Sequence, residues 1–197
     1  MKNLKHFERE IALIQSEDFR MFCKDYLNNY VPNYFWEIGA SSSGKFHPCF
    51  SQGDGGLVRH TKAVVMFAEE LLRMSSYAYM KDEYKDLVIL ACIVHDTVKY
   101  GESEFNKEEY KNHAKNAANL VKLAWDEHFE MTPHCPELLL MAIASHMGQW
   151  STEKEDRPFT NIDRCVHMAD YMASRSFIDI PCIVDEYNAV EENDLPF

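Results

Sequence analysis

The stretch LVILACIVHDTVKY, residues 87 to 100, constrains this chain more than any other feature. It is apolar nearly all round, so it belongs in an interior, yet it carries His95 and Asp96 side by side. An ionised carboxylate left unpaired in apolar surroundings costs several kcal/mol, so a metal ion, a cation or several donors must meet Asp96 there. Nothing comparable to a membrane span accompanies this run, because no apolar segment approaches the roughly 20 residues that a span requires. The N-terminus MKNLKHFERE lacks the apolar stretch of a signal peptide, and the expected compartment is the cytosol.

Glycine and proline punctuate the rest. Five of the seven glycines (Gly39, Gly44, Gly53, Gly55, Gly56) fall between residues 39 and 56, which reads as a long loop. Segments 61–75, 83–99, 110–128, 137–147 and 161–177 contain neither residue, and each reads as a helix. A leading helix is expected within residues 4–30, ended before Pro32. No β-branched alternation competes, so the expected class is all-α: a helical bundle with one core over residues 35–177, a helical segment over 1–34 packed on it, and a solvated acidic tail over 178–197. The six cysteines form no CxxC pair, which argues for reduced thiols and against a zinc ribbon.

The buried-polar anomaly of His95 and Asp96 recurs on the other helices. Helical spacing sets His60 with Val64, Phe67 and Leu71; His113 with Ala117, Leu120 and Ala124; His146 with Ile143, Ala142 and Leu139; and Asp170 with Val166, Ala173 and Phe177. One histidine on an apolar face is commonly a hydrogen-bonded core residue, but four histidines and two aspartates converging from five helices are most simply satisfied by divalent metal. Imidazole and carboxylate without thiolate point to iron, manganese or a related ion, and six ligands suffice for two. His6 and His128, among charged neighbours, are expected at the surface, and His167, one turn before Asp170, is expected to support a ligand by hydrogen bonding.

In order along the chain these residues stand in GGLVRH ending at 60, VHDTVK from 94, NHAKNA from 112, ASHMGQW from 144 and HMADYMASR from 167. That series resembles the HD-domain superfamily of metal-dependent phosphohydrolases over roughly residues 35 to 177. It looks closest to the HD module of certain bacterial 3'-to-5' exoribonucleases and to small stand-alone relatives that carry a stretch similar to SSGKFHP. The resemblance implies that His60, His95, Asp96 and Asp170 hold one ion, that His113 and His146 complete a second site, and that Asp96 bridges them. The candidate ions are Mn, Fe, Ni or Mg, one or two per chain.

Such a centre can activate water and neutralise charge on phosphoryl oxygens, so hydrolysis of a phosphate ester is the economical expectation. Asp96 and Lys99, one turn apart, are the candidate catalytic residues. Ser43, Lys45 and His47 in the glycine-rich loop, with Arg59 beside His60, are candidates for binding substrate. The loop is not a P-loop, since the GxxxxGK[ST] order is absent. With 20 basic against 32 acidic residues the chain carries a formal net charge of -12, which favours a small phosphorylated substrate, a nucleotide or a short single strand, over a long duplex. Two alternatives remain open under the same resemblance: a diiron oxygenase, and a nucleotide-sensing module without turnover.

Overall fold

In a computed structural model of the chain, which describes residues 4–41, 47–131, 133–151 and 153–193, the apolar run forms α4 (Asp82–Val94), and every residue from Leu87 to Val94 is buried. The other helices pack around it because each has an apolar stripe to cover. They are α1 (Glu8–Ala12), α2 (Glu17–Asn29), α3 (Gly56–Arg73), α5 (His113–His128), α6 (Glu137–Ala144), α7 (Asn161–Ala173) and α8 (Pro181–Asn193). Among the described residues there is no strand, so the fold is all-α.

Helices α3 and α7 lie against each other and both contact α4, while α6 fits between α4, α5 and α7. Helix α2 closes the far side against α4 and α5, where Phe22, Tyr26, Trp125 and Phe129 form an aromatic cluster. Among the described residues no helix is long and apolar enough to cross a membrane.

Local chemistry sets the helix starts. Ser16 caps α2 by accepting from Phe19 N, and Thr160 with Asp163 forms a capping box on α7. At α3 the entry needs glycine: Gly55 has φ +66°, and a Cβ there would lie 2.1 Å from the Tyr187 hydroxyl.

Several sequence expectations change on contact with the fold. The leading helix is broken, because Asp86 accepts from Gln15 N and Ser16 N, each at 2.8 Å, and pins a turn between α1 and α2. Residues 178–191 do not form a solvated tail. Ile180 and Ile183 are buried, α8 packs on α3, and Tyr187 stacks on His6 at 4.4 Å. His6 is therefore buried rather than superficial, with Nε2 2.8 Å from Glu191, and His128 is half-buried beside Asp25. All six cysteines are free thiols; Cys23, Cys92 and Cys165 are buried.

The segments expected to run to residues 99 and 147 stop at Val94 and Ala144, and turns replace the final helical residues. Tyr26 hydroxyl meets Thr97 Oγ1 at 2.8 Å, and Tyr34 hydroxyl donates to Gly101 O at 2.5 Å while accepting from Tyr100 N. These contacts fix the turn that carries His95, Asp96 and Lys99.

Candidate metal centre

Five elements deliver the six side chains, mostly at their ends. His60 comes from the second turn of α3, Asp170 from the last turns of α7, His113 from the first position of α5, and His95, Asp96 and His146 from the turns that follow α4 and α6. Helix ends are suited to this because their last carbonyls lack intrahelical partners. His95 Nδ1 donates to Cys92 O at 2.8 Å, His113 Nδ1 to Tyr110 O at 2.6 Å and His146 Nδ1 to Ile143 O at 2.7 Å. A carbonyl only accepts, so each Nδ1 carries the proton and each Nε2 presents a lone pair inward.

Those lone pairs converge. His113 Nε2 and His146 Nε2 stand 3.0 Å apart, a contact that requires a positive charge, either a proton on one ring or a metal ion. Asp96 divides its two oxygens between two groups. Oδ1 lies 3.1 Å from His113 Nε2 and 3.6 Å from His146 Nε2, whereas Oδ2 lies 3.6 Å from His95 Nε2, 3.8 Å from His60 Nε2 and 2.6 Å from Lys99 Nζ. Asp170 Oδ1 joins the second group at 3.1 Å from His60 and 3.8 Å from His95. In the sets His60, His95, Asp96; His95, His146, Asp170; and Asp96, His113, His146, the ligand atoms lie within 4.8 Å of one another.

Both ring nitrogens of His60, Nε2 of His95 and Oδ1 of Asp96 are buried without a partner in hydrogen-bonding geometry. Buried polar atoms are rarely left so, and divalent cations would satisfy the inward-facing Nε2 atoms of His60 and His95 and Oδ1 of Asp96; His60 Nδ1, on the far side of its ring, does not face the cluster. The residues present thus fit a metal ion, and the sequence-derived set is brought together whole.

The electrostatics agree. Burial alone would raise Asp96, but Lys99 beside it and the neighbouring His95 hold it well below the usual carboxylate range. Asp170 is also held low, by His60 and His95 against the effect of burial. Burial pushes His95 down to about 4, and it lowers His113. His146 is raised, because Asp96 more than offsets its burial. Lys99 is raised as well, since Asp96 outweighs burial, so it stays protonated. It is only 6% exposed.

The cluster opens into a cleft of about 540 Å³ whose walls include His47, Lys99, Tyr110, Trp150 and Arg175. His47 reaches the rim, its ring 5.6 Å from that of His60, and burial pushes it down to about 3. Ser43 and Lys45 lie outside the described residues.

Arg59 does not line the cleft. Its Nε donates to Phe50 O at 2.5 Å and one Nη to Gln52 O at 2.8 Å, with the guanidinium 4.8 Å from the Tyr187 ring, so it ties the loop to α3 and α8. His167 Nδ1 donates to His146 O at 2.8 Å and supports that turn from behind. Gly148 is required there: its φ is +58°, and a Cβ would lie 2.0 Å from the His167 ring. Sequence reasoning assigned nothing to Tyr110, Trp150 and Arg175. The last two stand inside ASHMGQW and HMADYMASR, and an aromatic and a cation next to ligand motifs were the available signal.

No curated protein and no solved structure gave a significant match to the chain. The family model described as HD domain matches residues 57–175, more than half of the chain, from the start of α3 to just past α7. All six clustered residues fall within that match, and on its extent the chain belongs to the HD domain family, whose members are generally metal-dependent hydrolases.

Proposed function

We propose that this chain is a metal-dependent phosphohydrolase whose substrate is a small phosphate ester, a nucleotide or a short oligonucleotide. The observation that carries the reading is the division of Asp96: Oδ1 faces His113 and His146, and Oδ2 faces His60 and His95. His60, His95 and Asp170 with Oδ2 would hold one ion, and His113 and His146 with Oδ1 a second. Divalent ions bound there would supply Lewis acidity, activating water for attack on phosphorus and neutralising phosphoryl charge.

The chain's own residues do the rest. The backbone carbonyls of Cys92, Tyr110 and Ile143 keep three imidazoles in the tautomer that ligates. Lys99 is a permanent cation at the cleft wall, within reach of a phosphoryl oxygen. The net charge of -12 favours a small anion over a long duplex. The resemblance of VHDTVK and SSGKFHP to exoribonuclease HD modules and their small relatives favours a nucleotide.

The test is phosphate release or strand shortening across nucleotides, cyclic nucleotides and short single strands with manganese, iron, nickel and magnesium. Lys99→Met should keep its metal and lose about 10- to 100-fold in kcat/KM, the value of a hydrogen bond to a charged group. Dioxygen consumption without phosphate release would select the oxygenase alternative. Tight nucleotide binding without product would select the sensing module.

A further inference from the structure

The phosphoryl chemistry needs one side of the cleft and leaves the other unexplained. Trp150, in the turn after Gly148, is 49% exposed, whereas Trp36 and Trp125 are 4% and 1% exposed. It stacks on Tyr171 at 5.6 Å with an interplanar angle of 17°. Arg175, just past the end of α7, lies over both rings, 4.2 Å from the Tyr171 centroid and 5.5 Å from that of Trp150. Its plane is fixed, because Nε donates to Tyr171 O at 3.0 Å and one Nη to Ser174 Oγ at 2.8 Å. Trp150 and Arg175 border the same cleft as Asp96 and Lys99.

An oriented guanidinium beside a half-exposed indole is how proteins receive a planar heteroaromatic ring, by stacking and by cation–π attraction. A cleft of about 540 Å³ is of the size that encloses one small ligand. Beyond Lys99 the surface turns acidic, with Glu102, Glu104 and Glu109 around the next depression, which disfavours a polyanion running in that direction. We infer that Trp150, Tyr171 and Arg175 form a base-binding subsite, and that the ligand is a single nucleotide unit whose base stacks on Trp150 while its phosphate points to Lys99. This rests on the phosphohydrolase reading for the phosphate end only.

The probes are the four common nucleoside 5'-monophosphates and ribose 5-phosphate, which lacks a base. Tryptophan fluorescence follows wild type, and calorimetry follows the variants. At least one nucleotide should quench the exposed indole and bind about 5- to 100-fold more tightly than ribose 5-phosphate, the range for stacking one base. Trp150→Ala should abolish that preference and leave ribose 5-phosphate affinity within about 2-fold, while Trp150→Phe keeps most of it. Equal affinity for all probes, no detectable binding of any nucleotide, or an equal loss for both ligand classes in W150A would overturn the subsite. Phosphate release separates the two claims. Base-dependent binding with no hydrolysis of any nucleotide, cyclic nucleotide or short strand in the metal screen supports the subsite and sinks the hydrolase, whereas hydrolysis at the same kcat/KM with and without a base overturns the subsite and spares the hydrolase.

Discussion

Removing Asp96 should expose how strongly the buried pair with Lys99 is coupled. The two side chains are 2% and 7% exposed and 2.6 Å apart, so Lys99 has no other carboxylate within ion-pairing distance among the described residues. Breaking such a pair from one side costs about 3–5 kcal/mol, and because Lys99 borders the cleft and can swing its ammonium toward water, the lower end applies. A double-mutant cycle with Asp96→Ala, Lys99→Met and both together isolates the pair, since the cavity left by Asp96 is common to both backgrounds. Urea unfolding at neutral pH in excess chelator should give a coupling energy of about 3 kcal/mol, with the double variant recovering much of the stability that D96A loses. A coupling below about 1 kcal/mol, the value of an exposed pair, would refute the reasoning.

Three further outcomes follow. In chelated protein, His95 is held at about 4 against an ordinary 6.5, so the unfolded chain takes up a proton that the native state refuses; stability should fall as pH drops from 6.5 toward 4, and His95→Asn should flatten that slope, which urea midpoints across the range would check. Gly148→Ala should cost at least about 1–2 kcal/mol from its left-handed backbone and displace His167 from the His146 carbonyl, and an unchanged unfolding curve would contradict this. Ile183→Ala, at a position 3% exposed, should cost about 2–4 kcal/mol if α8 is part of the core, while a change within error would return residues 178–197 to the status of a tail.

The histidine–aspartate cluster was legible because buried lone pairs need partners: an apolar run with His95 and Asp96 inside it states the problem, and four more inward polar residues complete the set that the structure brings together. The turns that present them were not legible. Nothing in VHDTVKY marks a helix end, because the stop at Val94 comes from Tyr26 and Tyr34 reaching in from distant segments to Thr97, Tyr100 and Gly101. The break between α1 and α2 likewise depends on Asp86, about 70 residues away, although Ser16 followed by Glu17 and Asp18 was a readable cap. The acidic end misled through its charge: Ile180, Ile183 and Tyr187 recur at helical spacing within it, and that spacing decided the outcome. Arg59 misled through its neighbour, since adjacent helical positions point about 100° apart and only His60 faces the cluster.

Metal stoichiometry tests the central claim most directly. After loading with manganese or iron and dialysis, wild type should retain two ions per chain by elemental analysis, His113→Ala/His146→Ala one, His60→Ala/Asp170→Asn one, and Asp96→Ala none. Circular dichroism would establish that each variant is folded. Two ions retained in either double variant, or full metal content in D96A, would contradict a centre whose halves share Asp96.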